Sequence, residues 1–580
     1  MTLVRPFTGL DAPLRSRTRL VADVVVLLGV AVLFWLLLRL APGVSAPFDP
    51  ESAPTSVSTD PANLPYYAAR SLLRMFAALA FSTVFTFVYA TAAARVPRAE
   101  KVLLPILDVL QSVPVLGFLS VTLALWLTLF PNTVFGLECA AVFAIFTSQV
   151  WNMTFAFYQS LVTQPRELDE AARLLRLTKW QRFWKLDVPN GMIPLVWNGM
   201  MSFGGGWFFL IASEVISVNN HVYALPGIGS YVAAASQNEQ PGRILLAVGV
   251  MVVMVLGVNV LFWRPLTAWA ERFRSGDTAA AQEPRSLTLD LLRRSNLPGL
   301  VARGLHPVGR ILDAATRPFG LADRPLLVNR TRRRVGDLAF TTLVVALVGW
   351  GAWRMLAFVS DSTGLSAFGE AMLLGLATFA RVVVLVVVAT VVWVPIGVWI
   401  GMNPRVTRFA QPVVQVLASF PANFLFPFVT LMLINAGVSL NIGGILLMSL
   451  GAQWYILFNV IAGASGIPID LREAATDLGL GRWLRWRMLI GPAIFSAWVT
   501  GGITAAGGAW NASIVAEVVS YGNQTLTATG LGAYIAQSTA TGNFADTLVG
   551  VMVMSLYVVG LNRLFWRRLY RIAETRYSLT

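Results

Sequence analysis

The sequence predicts an all-α membrane protein of about twelve transmembrane helices, built as two parallel six-helix repeats. Three observations lead to it. Hydrophobic residues make up 56% of the 580-residue chain and charged residues only 13%, about half the level usual in soluble proteins. Apolar runs of roughly 20 residues or more, the length that crosses a bilayer, recur along the whole chain. Polar landmarks of the first half return in the second at a fixed distance, the mark of an internal repeat.

Taken in order, the spans fall near 21–40, 66–94, 102–128, 134–160, 193–218, 243–268, 338–358, 369–400, 410–434, 440–464, 493–518 and 545–567. Their orientation follows from the arginines, which gather in cytoplasmic loops. Arg5, Arg15, Arg17 and Arg19 place the N-terminus inside; the next loop, with Asp49, Glu51 and Asp60 and no Lys or Arg, falls outside. Arg95, Arg98 and Lys101 return inside, as do Arg405 and Arg408, Arg472 to Arg487, and Arg563, Arg567 and Arg568. Both termini are therefore expected in the cytoplasm. The net charge of +15 then belongs to alternate loops along a membrane, and no nucleic-acid partner is expected. One cysteine, Cys139, excludes an intrachain disulfide, and two histidines, His221 and His306, leave little for a metal site. The first span mimics a secretory signal ending at Val44-Ser45-Ala46. The second half opens on an equivalent span, Val335 to Met355, so the first is expected to be retained.

The repeat is read from offsets. Glu170-Ala171-Ala172 returns as Glu473-Ala474-Ala475, and 473 − 170 = 303. The same offset joins Trp151 to Trp454, Pro165 to Pro468, Pro189 to Pro492, Trp207 to Trp510, Glu214 to Glu517 and Trp263 to Trp566. Upstream of a four-residue gap near Asn132 the offset is 307, joining Arg74 to Arg381, Pro105 to Pro412 and Pro114 to Pro421. Six spans per half, an even number, set the halves parallel about a pseudo-two-fold axis along the membrane normal. The expected division is an arm, first helix and outer loop over 1–65, then a core domain over 66–268. A basic cytoplasmic linker follows over 269–336, an opening helix and loop over 337–368, a second core domain over 369–567 and a tail over 568–580. In the linker, Ser286 to Leu292 and Leu300 to Leu312 are either surface helices on anionic headgroups or part of a solvated connector.

Between two long apolar runs, Ile469 to Pro492 is polar and carries four arginines, Arg472, Arg482, Arg485 and Arg487. Pro468 suits a first helical position. Glu473, Ala474 and Ala475 then sit on a short helix that Gly479 is placed to stop. A second short helix through Trp483, Trp486 and Leu489 is expected to end before Pro492. Two short helices joined by a turn on the cytoplasmic side make a docking element. In the first copy Arg176 stands where Gly479 does in the second (479 − 303 = 176), with Thr178 and Gln181 offering a capping box for the next helix. A non-glycine residue in the left-handed conformation costs roughly 1–2 kcal/mol. The first copy is therefore expected to turn differently.

Glu473-Ala474-Ala475, Gly479 and Pro492 at this spacing resemble the EAA loop of ABC-importer permeases, with Glu170, Ala171, Ala172, Arg176 and Pro189 as its first copy. Ser71 to Arg74 ahead of an apolar run, Pro105 to Leu119, and Trp510 to Tyr534 with Ala516-Glu517 and Gly530-Leu531-Gly532 are similar to the nitrate/taurine/sulfonate group of that family. The resemblance covers roughly 66–268 and 369–567, and implies two permease cores of the MetI-like fold fused in one chain. It also implies a multi-pass protein of the bacterial inner membrane that does no chemistry and holds no cofactor. Two cytoplasmic ATPase subunits, carrying ATP and Mg, would dock on the two loops. A periplasmic binding protein would deliver a small solute, of which nitrate, sulfonate, taurine and bicarbonate are types. The chain has no phosphate-binding loop of its own, since Gly204-Gly205-Gly206 lies inside a span with no Lys-Ser/Thr after it. The alternative is a secondary transporter of the major-facilitator type, which also has twelve spans in two parallel halves. Its Gly-x-x-x-Asp-Arg-type loop motif is missing from Arg95–Lys101 and Arg405–Arg408.

Ionisable residues inside spans are functional candidates by default. Arg74 and Arg381 are paired by the repeat, about 10–15 Å in from the outer face at 1.5 Å per residue. Glu214 and Glu517 are paired near the outer ends of their spans. Either the arginines belong to an anion path and the glutamates to an outer gate, or arginine and glutamate clamp helices together. Asp108 and Glu138, without acidic counterparts in the second half, are half-specific path residues or lie in water-filled vestibules. Trp35, Trp126, Trp263 and Trp566 fall near span ends and read as interface anchors, and Trp207 and Trp510 as core.

Overall fold

The computed structural model of the chain describes residues 16–44, 55–113, 117, 119–218, 221–273, 287–316, 330–364 and 366–576. The first half begins with α1 (Ser16–Val44) and the long α2 (Leu64–Arg95), then α3 (Pro97–Ser112), α4 (Leu119–Leu129) and α5 (Val134–Val162). The short pair α6 (Arg166–Leu174) and α7 (Lys179–Arg182) leads into α8 (Val188–Glu214). A two-stranded hairpin, β1 (Val215–Val218) and β2 (His221–Ala224), precedes α9 (Ile228–Gln237), α10 (Pro241–Val258) and α11 (Arg264–Ala270). The connecting segment holds α12 (Leu287–Arg294) and α13 (Leu297–Thr316), close to where surface helices were one of the two expectations. The second half repeats the plan. It runs α14 (Arg330–Ser362), α15 (Ser366–Met402), α16 (Pro404–Ser419), α17 (Phe426–Ala436), α18 (Leu440–Ser465), α19 (Ile469–Asp477), α20 (Arg482–Arg485) and α21 (Gly491–Ala516). A hairpin of β3 (Val518–Tyr521) and β4 (Gln524–Thr527) and the helices α22 (Leu531–Thr541), α23 (Phe544–Leu561) and α24 (Arg567–Arg576) complete it.

Among the described residues, nine helices are long and apolar enough to cross a membrane, and α16 with α17 makes a tenth if a bent pair counts as one span. Of the twelve spans expected, the one at 21–40 lies on α1, where Val21–Val32 counts only as a shorter apolar helix, and two others are broken. The run at 102–128 is divided between α3 and α4, and the run at 410–434 is bent by 79° between α16 and α17. Pro421 explains the second break: the residue before it, Phe420, is driven to extended backbone at φ −74°, ψ 128°, where no helix continues. Pro114, its repeat partner, lies outside the described residues. A hydropathy window sees an unbroken apolar run at both places.

The second short helix of each docking element also differs from expectation. It does not stop before Pro492 or Pro189 but widens into a π-helical turn and runs on into the span. These turns are Phe183–Asp187 and Trp486–Ile490, and a second pair, Asn259–Trp263 and Asn562–Trp566, follows the last long helix of each half. Proline has no N–H and its ring crowds the carbonyl four residues back. Three of the turns end two residues before a proline, namely Pro189, Pro265 and Pro492, so the wider turn takes up the change of register. The later pair turns Trp263 and Trp566 inward. Both are buried, against Gly199 and Gly502, which corrects their reading as interface anchors. Trp207 and Trp510 are core residues as read.

Each half packs its own core. Met75, Ile145, Phe157, Phe203, Trp207 and Tyr231 centre the first; Leu447, Ile456, Val499, Trp510, Leu531 and Val549 centre the second. The halves also exchange residues. Phe424 is buried in the first core, while Leu119 and Leu123 join the second. At the hairpin end Gly522 N–H donates to Ser236 O of the other half (3.0 Å). The connecting segment is tied to α1, where the Asp23 carboxylate accepts from Ser295 Oγ and from the Asn296 backbone N–H, both at 2.7 Å.

Candidate functional site

The two Glu-Ala-Ala elements have the same backbone. In the first, Leu177 N–H donates to Ala172 O (3.1 Å) and Arg176 N–H to Arg173 O (3.0 Å). In the second, Leu480 N–H donates to Ala475 O (3.1 Å) and Gly479 N–H to Thr476 O (2.9 Å). This nested pair of bonds is the Schellman closure of a helix, which requires a left-handed residue at its hinge. Gly479 supplies φ +60° and Arg176 supplies φ +47°. The expectation of a different first turn is therefore overturned: Arg176 adopts the strained conformation. Its neighbours hold it there. Thr178 Oγ1 accepts from Gln181 N–H and Gln181 Oε1 from Thr178 N–H, both at 3.2 Å, completing the expected capping box.

Glu170 and Ala171 point outward while Ala172 is buried, and Glu473 and Ala474 point outward while Ala475 is buried. Beside them large apolar side chains stand free of the protein: Leu174 is 85% exposed, Leu478 75% and Trp483 79%. The supports differ between copies. Arg182 pairs with Asp169 and, at 3.6 Å, with Asp187, which also takes Arg95 Nη2 at 2.6 Å. In the second copy Asp187 becomes Ile490, Asp169 becomes Arg472, and Arg472 Nη2 donates to Ala464 O at the end of α18 (2.8 Å). Pro189 and Pro492 stand at the starts of α8 and α21.

The intramembrane charges form two clamps at the opposite end of each half. In the first, Arg74 Nε and Nη2 grip Glu138 (2.6 and 2.7 Å) while Nη1 reaches Glu214 Oε1 (2.7 Å); Arg70 also pairs with Glu138. Glu214 accepts from Ser71 Oγ (2.5 Å) and from the Gly229 backbone N–H at the start of α9 (2.6 Å). In the second, Arg381 Nη1 meets Glu517 Oε1 (2.7 Å), which also takes Thr378 Oγ1 (2.8 Å), and Ala533 N–H donates to Oε2 (3.1 Å). Asn441 stands where the first half has Glu138 (138 + 303 = 441) and accepts from Arg381 Nη2 at 2.7 Å. Arg70 is matched by Ala377 (70 + 307 = 377), so the extra charge pair comes and goes as a unit.

Arg74, Glu138, Glu214, Arg381 and Glu517 are all buried. Of the two arrangements left open by the sequence, the geometry has arginine and glutamate tying helices together. Asp108 lies on α3 with its side chain outside the described residues. Gly227 and Gly530 lie flat against the carboxylates of Glu214 and Glu517, where a Cβ would collide with the carboxylate itself. Thr378, Asn441 and Gly227 are clamp members that sequence reasoning missed, and Ser71 and Gly530 entered it only as motif residues, although the two offsets pair Ser71 with Thr378 and Gly227 with Gly530.

A cavity of about 490 Å³ opens between α5 and α8 near the docking end of the first half, lined by Asn152, Phe155, Gln159, Thr163, Asn190 and Asn198 among others. None of these was singled out in the sequence.

Fold and site together define a class: a helical membrane component built twice in one chain, each copy presenting a Glu-Ala-Ala turn beyond its spans. The family model described as "binding-protein-dependent transport system inner membrane component" matches twice, over residues 75–272 and 393–578. The chain belongs to this family, which sets aside the secondary-transporter alternative. It is similar to the bicarbonate transport system permease protein CmpB of Synechococcus elongatus, 27% identical over 135 residues (23% of this chain, 45% of that protein). It is also similar to the nitrate import permease protein NrtB of Leptolyngbya laminosa, 25% identical over 158 residues (27% and 51%). The glycine betaine/proline betaine transport system permease protein ProW of Escherichia coli is 27% identical over 139 residues (24% and 38%). The matches span about half of the length of these relatives or less.

Proposed function

We propose that the chain is the complete pair of membrane domains of an ATP-driven importer. The observation that carries this reading is the duplicated docking turn. Two loops, 303 residues apart in sequence, keep the same hydrogen-bonded hinge even where one must hold an arginine in left-handed backbone. A turn retained at that cost has a shape to meet. The exposed Leu174, Leu478 and Trp483 give each copy an apolar contact, and Glu170 and Glu473 give each a charge to orient it. Two ATPase subunits, holding ATP and Mg, dock there on the cytoplasmic side, where both termini also lie. This chain performs no catalysis and needs no cofactor.

A periplasmic binding protein delivers a small solute to the hairpin face. Closure of the ATPases then moves α6–α7 and α19–α20, and each element is continuous through its π-helical turn with a span, so the motion enters α8 and α21 directly. The relatives' names, which include bicarbonate, nitrate and betaine systems, support a small polar solute. Native mass spectrometry of the complex purified from the inner membrane tests the reading. One copy of this polypeptide with two ATPase subunits is expected; two copies per assembly would remove it.

A further inference from the structure

The wall of the cavity between α5 and α8 has a different composition at the matching positions of the second half. At an offset of 303, Asn152 becomes Tyr455, Gln159 becomes Ala462, Ser160 becomes Gly463, Thr163 becomes Gly466, Asn190 becomes Ala493 and Asn198 becomes Gly501. Five of these six polar side chains give way to glycine or alanine; the exceptions in the second wall are Tyr455 and, opposite Ala156, Asn459, whose Nδ2 donates to Tyr455 O within its own helix (2.8 Å). With those small residues α18 and α21 close on each other. A Cβ at Gly501 would lie 2.9 Å from Tyr455 O, and one at Gly463 2.6 Å from Ala497 Cβ. Tyr455 marks the direction this wall faces, because its hydroxyl lies against Gly205 of the first half, 3.7 Å from where a Cβ would stand.

The stripe continues inward. Gln149, on the face of α5 that also carries Asn152 and Ala156, is buried beside Gly206, and among the described residues neither its Oε1 nor its Nε2 has a hydrogen-bond partner. A buried carboxamide with no partner of its own is rare and calls for one from outside.

The hydrogen bonds already made fix what the wall offers. Asn190 Nδ2 donates to Ser160 O (2.8 Å) and Asn198 Nδ2 to Pro194 O (2.9 Å). A backbone carbonyl accepts only from a donor, so these two side chains are oriented, and each has its Oδ1 acceptor left for the cavity. Asn152 bonds Gln111 through their carboxamides (3.2 Å), and with Gln159, which also lines the cavity, it supplies amide N–H donors to the wall. Among the described residues the lining holds no charged side chain, and Arg70, Arg74 and Arg381 are tied to carboxylates in the clamps. An anion would meet carbonyl lone pairs without a cation to offset its desolvation.

Resting on the permease reading above, we infer that the solute crosses against one wall. The first half supplies the hydrogen-bonding site, the second half a closing surface of mostly small residues, and the site takes an uncharged polar solute bearing N–H or O–H donors as well as acceptors.

Thiol labelling of the full-length chain in nanodiscs tests this without requiring transport. Cys139→Ser removes the native thiol, and Ala156→Cys places one in the cavity wall with every carboxamide intact. The thiol is expected to react with water-soluble methanethiosulfonates. Uracil and urea, neutral probes with both donors and acceptors, are expected to slow the reaction, about fivefold at four times the probe's dissociation constant. Nitrate and bicarbonate are expected to leave it unchanged. Asn198→Ala, which removes one acceptor and only a bond within its own helix, should abolish the protection by uracil. An unreactive thiol, protection by the anions, equal protection by all probes, or protection by none overturns the inference. Each of these outcomes leaves the permease reading to the stoichiometry measurement.

Discussion

Arg176→Gly should tighten the first docking turn, and the expected gain can be worked from its geometry. Arg176 holds φ +47° at the hinge of the Schellman closure. For a residue with a Cβ that conformation costs roughly 1–2 kcal/mol, and glycine relieves it. Glycine also enlarges the unfolded ensemble, which takes back roughly 0.4–1 kcal/mol. The net is a gain of about 0.5–1 kcal/mol, or roughly a two- to fivefold rise in the protection of amides that exchange through opening of the turn. The amides to follow are those of Leu175, Arg176 and Leu177, which make the closing bonds. Gly479 provides the mirror experiment. Nothing lies within 4 Å of a Cβ built there, so Gly479→Ala meets no clash; it takes on the left-handed strain of roughly 1–2 kcal/mol and regains roughly 0.4–1 kcal/mol from a narrower unfolded ensemble. The net loss of about 0.5–1 kcal/mol corresponds to roughly a two- to fivefold fall in protection at Leu478, Gly479 and Leu480. Hydrogen exchange on the whole protein in nanodiscs reads both loops at once. A fall in protection on Arg176→Gly, or no response to Gly479→Ala, would refute the claim that both copies share one strained hinge.

Three further outcomes follow from the packing. Glu138→Asn alone leaves Arg70 buried without its carboxylate and should lose about 3–5 kcal/mol, whereas adding Arg70→Ala recreates the second half's arrangement and should recover most of it; thermal unfolding in detergent decides, and a double variant no better than the single sinks the account. Gly530→Ala drives a Cβ into the Glu517 carboxylate and should cost about 1–3 kcal/mol by the same assay, while Gly560→Ala, with open space around it, should be near neutral. Asp187→Asn weakens the pairs to Arg95 and Arg182, so exchange should rise across 166–182 and stay unchanged across 469–485; an equal rise in both loops would show that the ion pairs do not support the first copy.

The duplication was legible because landmark residues such as tryptophan, proline and glutamate keep their spacing even where the apolar residues between them vary freely. What failed were local rules applied without their surroundings. Arg176 was read as incompatible with a left-handed hinge, yet the capping box at Thr178 and the pairing of Arg182 with Asp169 fix both sides of it, and roughly 1–2 kcal/mol is within what such contacts override. Pro492 was read as a stop, because a proline inside an α-helix breaks it; a π-helical turn just before removes that conflict, and no residue pattern in a single copy announces one. Trp263 and Trp566 looked like anchors by position alone, and only the glycines opposite, Gly199 and Gly502, reveal the groove they fill. The clamps were half legible. Both arginines and both glutamates were named, but Asn441 and Ala377 carry no charge to attract notice, and their meaning lies in what they replace.

That comparison between copies explains where the two halves have diverged. A position that must present the same shape twice is held in both, even at an energetic cost, as the two hinges are. A position whose role is electrostatic balance may change if its partner changes with it, as Arg70 and Glu138 do against Ala377 and Asn441. A position facing a single shared solute is under neither constraint, since one wall is enough to hold a molecule that passes once. The replacement of Gln159, Ser160, Thr163, Asn190 and Asn198 by glycine and alanine in the second wall, which keeps a carboxamide at Asn459 alone among these positions, is what the third case produces. In a symmetric pair of identical subunits the wall could not change on one side alone. Fusion into one chain let one half specialise in holding the solute and the other in closing over it.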